Sequence, residues 1–212
     1  MIGILGGSFD PIHFGHINPL YDLSEEFNLT EIRLIPTYIS PTDKLYHADY
    51  QHRLNMVSII ASSEKNNFIA DNIEIVKEGI SYTYETIKII KEYRKCSNIY
   101  LILGLDAFLN IETWYRYNDL LEETKIIVLN RPNIDINLIK NMSSKIQNKI
   151  TNKKDIFINT KDSKIFLYTS SSINISSTQI RRLIIAQKDT SKLIPGSIAS
   201  YIRRNNLYIG KK

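Results

Sequence analysis

Short apolar runs of strand length alternate along this chain with stretches whose apolar residues recur at helical spacing. That rhythm leaves few folds open. Met1–Leu5 reads as a buried strand, and Leu20, Leu23 and Phe27 follow it at helical spacing. Glu31–Pro36 reads as a second strand and Tyr50–Ser62, with Leu54, Val57, Ile60 and Ala61, as a helix. Asn67–Asp71 is a third strand, and a helix carrying Ile87, Ile90 and Tyr93 comes after it. Asn98–Leu103 and Lys125–Asn130 are two further strands of buried type. Such alternation implies βαβ units, hence an α/β, Rossmann-like, doubly wound parallel sheet with helices on both faces. At 212 residues and 43% hydrophobic content, the chain is read as one domain. Its core spans residues 1–170, and a small helical appendage spans 171–212. Within the polar stretch Asn133–Asp162, Ile134, Leu138, Ile139 and Met142 predict one amphipathic helix. Ile156–Ile158 and Ile165–Tyr168 predict short strands, and Ser197 is expected to cap a last helix through Arg204.

In such a sheet ligands bind at the carboxyl ends of the strands. Four stretches fall there: Gly6–His16, Thr37–Lys44, Ser81–Thr83 and Gly104–Trp114. The first is the most informative. Gly6 and Gly7 permit a tight turn after the first strand, Asp10-Pro11 signals a turn, and His13-Phe14-Gly15-His16 leads into a helix. A strand that runs through a Gly loop into a helix start offers backbone N–H groups and a positive dipole end to an anion. The spacing is neither that of a Walker A loop nor that of the dinucleotide fingerprint. His13 and His16 add side-chain donors, although spacing alone equally allows a helix cap or a chance metal contact. A second anion site is suggested far downstream. Ser170–Thr178 has the composition of a linker, but its last hydroxyls precede Ile180, Leu183 and Ile184. They therefore suit a helix N-cap, with Arg181 one turn in.

Bulk properties narrow the function classes. The net charge of +5 suits anionic small molecules. The basic residues are scattered, with only short pairs such as Lys153-Lys154 and Arg203-Arg204, so nucleic-acid binding is not expected. The single cysteine, Cys96, cannot form an internal disulfide and has no obvious activator. No basic region precedes the short N-terminal apolar run, and no stretch approaches the length of a membrane span, so a cytoplasmic protein without membrane contact is expected.

Gly7-Ser8-Phe9-Asp10-Pro11-Ile12-His13-Phe14-Gly15-His16 resembles the signature of the His/Thr-x-Gly-His nucleotidyltransferase superfamily. Ile175-Ser176-Ser177-Thr178-Gln179-Ile180-Arg181 resembles its second signature. Over nearly the whole chain the resemblance is to the nicotinate-nucleotide adenylyltransferase family. Its Ser-Tyr-Thr segment is matched at Ser81-Tyr82-Thr83, its Gly-x-Asp and Trp-Tyr stretch at Gly104-Leu105-Asp106 and Trp114-Tyr115, and its strand-end Arg-Pro at Arg131-Pro132. One loop departs from the family pattern. Thr42 stands where the family has histidine, and the basic residue is displaced to Lys44.

The resemblance implies transfer of AMP from ATP to nicotinate mononucleotide, with release of pyrophosphate, in NAD biosynthesis. It implies His13, His16 and Arg181 as the catalytic donors. Gly6, Gly7, Ser8, Phe9, Lys44, Gly104, Asp106, Ser177 and Thr178 are implied on the ATP side. Ser81, Tyr82, Thr83, Trp114, Tyr115 and Arg131 are implied on the acceptor side, with Trp114 stacking on the pyridine ring. Asp106 is equally readable as a helix cap. Magnesium is expected on the ATP phosphates rather than in a cage of protein ligands. A phosphopantetheine or nicotinamide mononucleotide acceptor, or a nucleotide sensor without catalysis, are the alternatives. The sequence is compatible with a homo-oligomer and does not specify one.

Overall fold

The computed structural model describes residues 1–42, 45–62, 67–94, 99–130, 134–160, 162, 164–169 and 175–209. Among these, seven strands form one sheet: β1 (Ile2–Gly7), β2 (Glu31–Pro36), β3 (Phe68–Ala70), β4 (Ile99–Gly104), β5 (Lys125–Leu129), β6 (Ile150–Thr151) and β7 (Ile165–Tyr168). Their order is β3-β2-β1-β4-β5-β7-β6, and every neighbouring pair is parallel. The chain steps outward from β1 to β2 and β3, then returns to place β4 on the other side of β1. The switch point therefore lies between β1 and β4, and a ligand crevice opens where their carboxyl ends diverge. β1 ends in Gly6 and Gly7, and β4 ends in Gly104.

The helices are α1 (Phe14–Glu26), α2 (Tyr50–Ala61), α3 (Ile73–Lys77), α4 (Thr83–Arg94), α5 (Leu105–Phe108), α6 (Tyr117–Glu123), α7 (Ser144–Gln147), α8 (Lys154–Asn159), α9 (Ser177–Ile185) and α10 (Gly196–Arg204). Alternate strand residues feed two apolar layers. Leu5, Leu34, Tyr100, Ile102, Ile127 and Phe166 pack with α1, α2, α8, α9 and α10. Ile4, Leu101, Leu103, Ile126 and Val128 pack with α4, α5 and α6 on the opposite face. The first layer centres on Phe27, whose ring meets Phe166 at 5.6 Å, Phe157 at 5.9 Å and Tyr168 at 6.2 Å. The C-terminal helices join this same layer through Ile180, Ile198 and Ile202. Packing is tight at Gly3, where a Cβ would stand 3.1 Å from both Ile102 Cδ1 and Leu29 Cδ1.

Several sequence expectations are corrected. Gly6 and Gly7 belong to β1, paired with Ile35 and Pro36, and do not form the turn. The Ile156–Ile158 stretch expected as a strand is part of helix α8, where Phe157 is buried, Ile158 packs half-buried against the same layer and Ile156 stays exposed. A three-residue apolar run satisfies either period, and the aromatic layer decided it. The segment expected as an amphipathic helix near Leu138 is a 3₁₀ turn, Ile136–Asn141. Ile136, Ile139 and Met142 recur every third residue, the period at which a 3₁₀ turn aligns its side chains. The last helix begins two residues early, with Pro195 rather than Ser197 at its N-cap. Cys96 and the Ser-rich residues 170–174 lie outside the described residues.

Phe27→Ala should destabilise the fold by ~3–5 kcal/mol, because it empties the centre of the aromatic layer. Urea unfolding followed by far-UV circular dichroism measures this.

Candidate active site

The turn after β1 is made by Ser8 to Ile12. Phe9 takes a positive φ of 47°, an unusual conformation for a bulky residue, and its ring is fully buried. The Asp10-Pro11 peptide is cis. The turn delivers His13 to the N-cap of α1 in an extended conformation, with no capping bond from its side chain. His13 is buried and His16, one turn on, is half-buried. Their rings stack with centroids 3.7 Å apart and planes tilted by 30°, and Phe9 meets His16 edge-on at 5.2 Å. Two first-turn amides are already engaged. Phe14 N–H donates to the Leu193 carbonyl at 3.0 Å and His16 N–H to the His13 carbonyl at 2.8 Å. The imidazole pair is thus the main feature that this helix start presents.

The back of the turn is held by buried polar groups. The Asp10 carboxylate, 3% exposed, accepts the N–H groups of His47 at 2.8 Å and Ala48 at 3.1 Å. Tyr208 O–H donates to it at 2.7 Å. Burial, then the adjacent carboxylate, pushes the Tyr208 phenol far above its ordinary value, so it stays a donor. Arg53, 1% exposed on α2, donates to the carbonyls of Ser8 at 2.9 Å, Thr37 at 2.8 Å and Ala48 at 3.2 Å. Its guanidinium lies 3.9 Å from the Tyr46 ring centroid. Burial lowers the Arg53 pKa, an effect opposed by Tyr46 and Asp10.

The second motif closes over the same turn. Ser176 caps α9 by accepting Gln179 N–H at 3.2 Å. Ser177 O–H donates to the Pro11 carbonyl at 3.0 Å, and Arg181 donates to the Asp10 carbonyl at 2.6 Å and to Thr178 Oγ1 at 3.2 Å. Two donor sets far apart in sequence therefore meet at one strand end.

On the other side of the switch point, Gly104 is the N-cap of α5 and Asp106 is exposed in its first turn. Ser81 is buried, and its Oγ accepts Tyr38 N–H at 2.9 Å. The Tyr82 ring packs on Tyr115 with centroids 4.4 Å apart, which joins the segment before α4 to the stretch that carries Trp114. Trp114 is half-buried against the second apolar layer. Lys44 and Arg131 lie outside the described residues. The structure adds Asp10, Arg53, Glu74 and Tyr208 as residues that shape the site. Arg53 was discoverable, since it precedes Met56, Val57 and Ile60 at core spacing on an apolar helix face.

The family model described as Cytidylyltransferase-like matches residues 4–183. A protein of Hydrogenobaculum sp. named "Probable nicotinate-nucleotide adenylyltransferase" is 36% identical over 207 residues, covering 98% of this chain and 97% of that one. The chain belongs to the nicotinate-nucleotide adenylyltransferase branch of the cytidylyltransferase-like family. An adenylyltransferase relative of the same name from Methylococcus capsulatus is 31% identical, covering 98% of this chain and 99% of its own. The Plasmodium falciparum nicotinic acid mononucleotide adenylyltransferase complexed with NaAD superposes with a TM-score of 0.75 at 27% identity, covering 98% of this chain and 96% of that chain. The same enzyme complexed with APC gives a TM-score of 0.72. No helix among the described residues is long and apolar enough to cross a membrane.

Tyr208→Phe should cost ~1–3 kcal/mol of stability, because it leaves a buried carboxylate short of one donor. Chemical denaturation of the purified variant tests this, and an unchanged midpoint would show that the Tyr208 hydroxyl does not hold the turn.

Proposed function

We infer that this adenylyltransferase transfers AMP from ATP to nicotinate mononucleotide, giving nicotinate adenine dinucleotide and pyrophosphate. The observation that carries the site assignment is the closure of Ser177 and Arg181 onto the Asp10-Pro11 turn, beside the stacked imidazoles. It gathers hydrogen-bond donors where a triphosphate would lie at the switch point.

The reaction is a displacement at phosphorus. A 5′-phosphate oxygen of the acceptor bonds to the α-phosphorus of ATP as the bond to the β-phosphate oxygen breaks. The nucleophile is an anion at neutral pH, so the protein needs no general base. Its work is positioning and charge stabilisation. Two cationic imidazoles at the distance seen here would repel each other, so a phosphate is the partner against which both can donate. His13 and His16 are assigned to the α- and β-phosphates, and Ser177, Thr178 and Arg181 to the departing pyrophosphate. A guanidinium fork suits two phosphate oxygens at once.

Magnesium, carried on the triphosphate, would neutralise part of its charge. The imidazoles, hydroxyls and Arg181 match phosphate oxygens rather than a cation. Among the described residues no group of three His, Cys, Asp or Glu side chains could hold a metal.

On the acceptor side, the first-turn N–H groups of α4, which starts at Thr83, have no partner within the helix. These N–H groups are assigned to the nicotinate carboxylate, and Trp114 to the pyridine ring. A carboxamide would turn its NH₂ toward these donors, so the acid should be preferred. A pyrophosphate-release assay tests the reading with ATP and nicotinate mononucleotide, the amide mononucleotide or phosphopantetheine. The expected result is preference for the acid by about tenfold or more in kcat/KM. Preference for either alternative would replace the acceptor, and ATP binding without turnover would indicate a sensor.

His16→Ala should lower kcat by ~10²–10⁴ while the circular dichroism spectrum is unchanged. A loss under about threefold would remove His16 from the reaction.

A further inference from the structure

The Glu74 carboxylate lies behind the acceptor segment and plays no part in the chemistry above. It is 6% exposed, on the short helix α3. Thr86 O–H donates to one of its oxygens at 3.1 Å, and Tyr38 N–H donates to the other at 3.2 Å. The Ser81 hydroxyl also bonds to it. These donors come from three places: the stretch after β2, the residue before Tyr82, and the first turn of α4. A backbone bond from Ser81 N–H to the Ile39 carbonyl, 2.9 Å, and a parallel bridge between Ile39 and Ile80 run alongside. Lys77, also on α3, donates to the Ile80 carbonyl at 2.6 Å and to Glu85 at 2.9 Å. Residues 80–86 are thus gripped by two side chains of α3, one acidic and buried, one basic and half-buried.

We propose that Glu74 is a positioning residue that sets acceptor affinity by fixing Ser81–Thr83 and the start of α4 against the end of β2. This rests on the reading of that segment as the acceptor side. An acceptor-only group suits this place, because Thr86 O–H and Tyr38 N–H each donate to it. Burial raises the Glu74 pKa, opposed by the bonds from Ser81, Thr86 and Tyr38, as expected of a carboxylate held by donors rather than by solvent. Ser81 follows from the same geometry. Its hydroxyl is committed to Glu74 and Tyr38, so it shapes the pocket from behind and leaves acceptor contact to Tyr82 and Thr83 on the proposed reading.

Initial rates measured against each substrate in turn test this. Glu74→Gln puts an N–H₂ where one donor needs an oxygen, and should raise the acceptor KM about five- to fiftyfold, with the ATP KM within about twofold. Thr86→Val removes one donor while keeping shape and charge, so it decides the matter if the Gln variant does not fold. It should raise the acceptor KM about three- to tenfold, and Thr86→Ser should restore it. Folded variants with an unchanged acceptor KM, or with both KM values raised equally, would overturn the proposal. Wild-type protein that turns over only a different acceptor would instead overturn the functional reading, and the same split would then be measured with that acceptor.

Discussion

The turn that carries the imidazole pair depends on one buried carboxylate. Asp10 sits at the turn between β1 and α1, and its two oxygens take three donors from two other parts of the chain. Its own carbonyl takes a fourth, from Arg181. A buried charge is tolerable only when it is fully bonded, so these partners are obligatory rather than decorative. The same bonds fix the His47-Ala48 backbone, the C-terminal tyrosine and the second motif relative to the imidazole pair. Arg53 acts on the opposite edge of the turn with carbonyls as its partners, so a cation and an anion brace the same few residues from two sides.

Much of the architecture was legible because a parallel sheet covered on both faces needs continuous apolar strands, and those are conspicuous in sequence. The phosphate motifs were half legible: spacing at His13 and His16 left a helix cap or a metal contact open, and the roles of His13, His16, Ser177 and Arg181 came from resemblance to a family. What was not legible was every feature set by the third dimension alone. The Ile-Phe-Ile run of α8 has no period of its own, and the aromatic neighbours of Phe157 chose its form. Gly6 and Gly7 look like a turn, but pairing with β2 draws them into the strand and passes the turn to Phe9. Glu74 and Tyr208 are unremarkable in sequence because their partners come from distant segments.

The acceptor side is built differently from the phosphate side. The proposed phosphate side gathers side chains from distant parts of the sequence, and the proposed acceptor side joins two segments, one of them held by a short neighbouring helix. The Tyr82–Tyr115 contact bridges the two aromatic-bearing segments and gives this half of the crevice its wall. Fold alone would not define an activity. Donors grouped at a switch point are what this chain adds to the fold.

The Tyr208–Asp10 bond joins residues 198 positions apart. Contacts of such separation carry the largest chain-closure cost and are made once the intervening structure exists. During synthesis the sheet strands emerge well before α9, α10 and Tyr208. A nascent chain can therefore assemble its scaffold while the anion site is still unfinished. Nucleotide capture, on the function proposed above, would therefore report that α9, α10 and Tyr208 have docked onto the sheet.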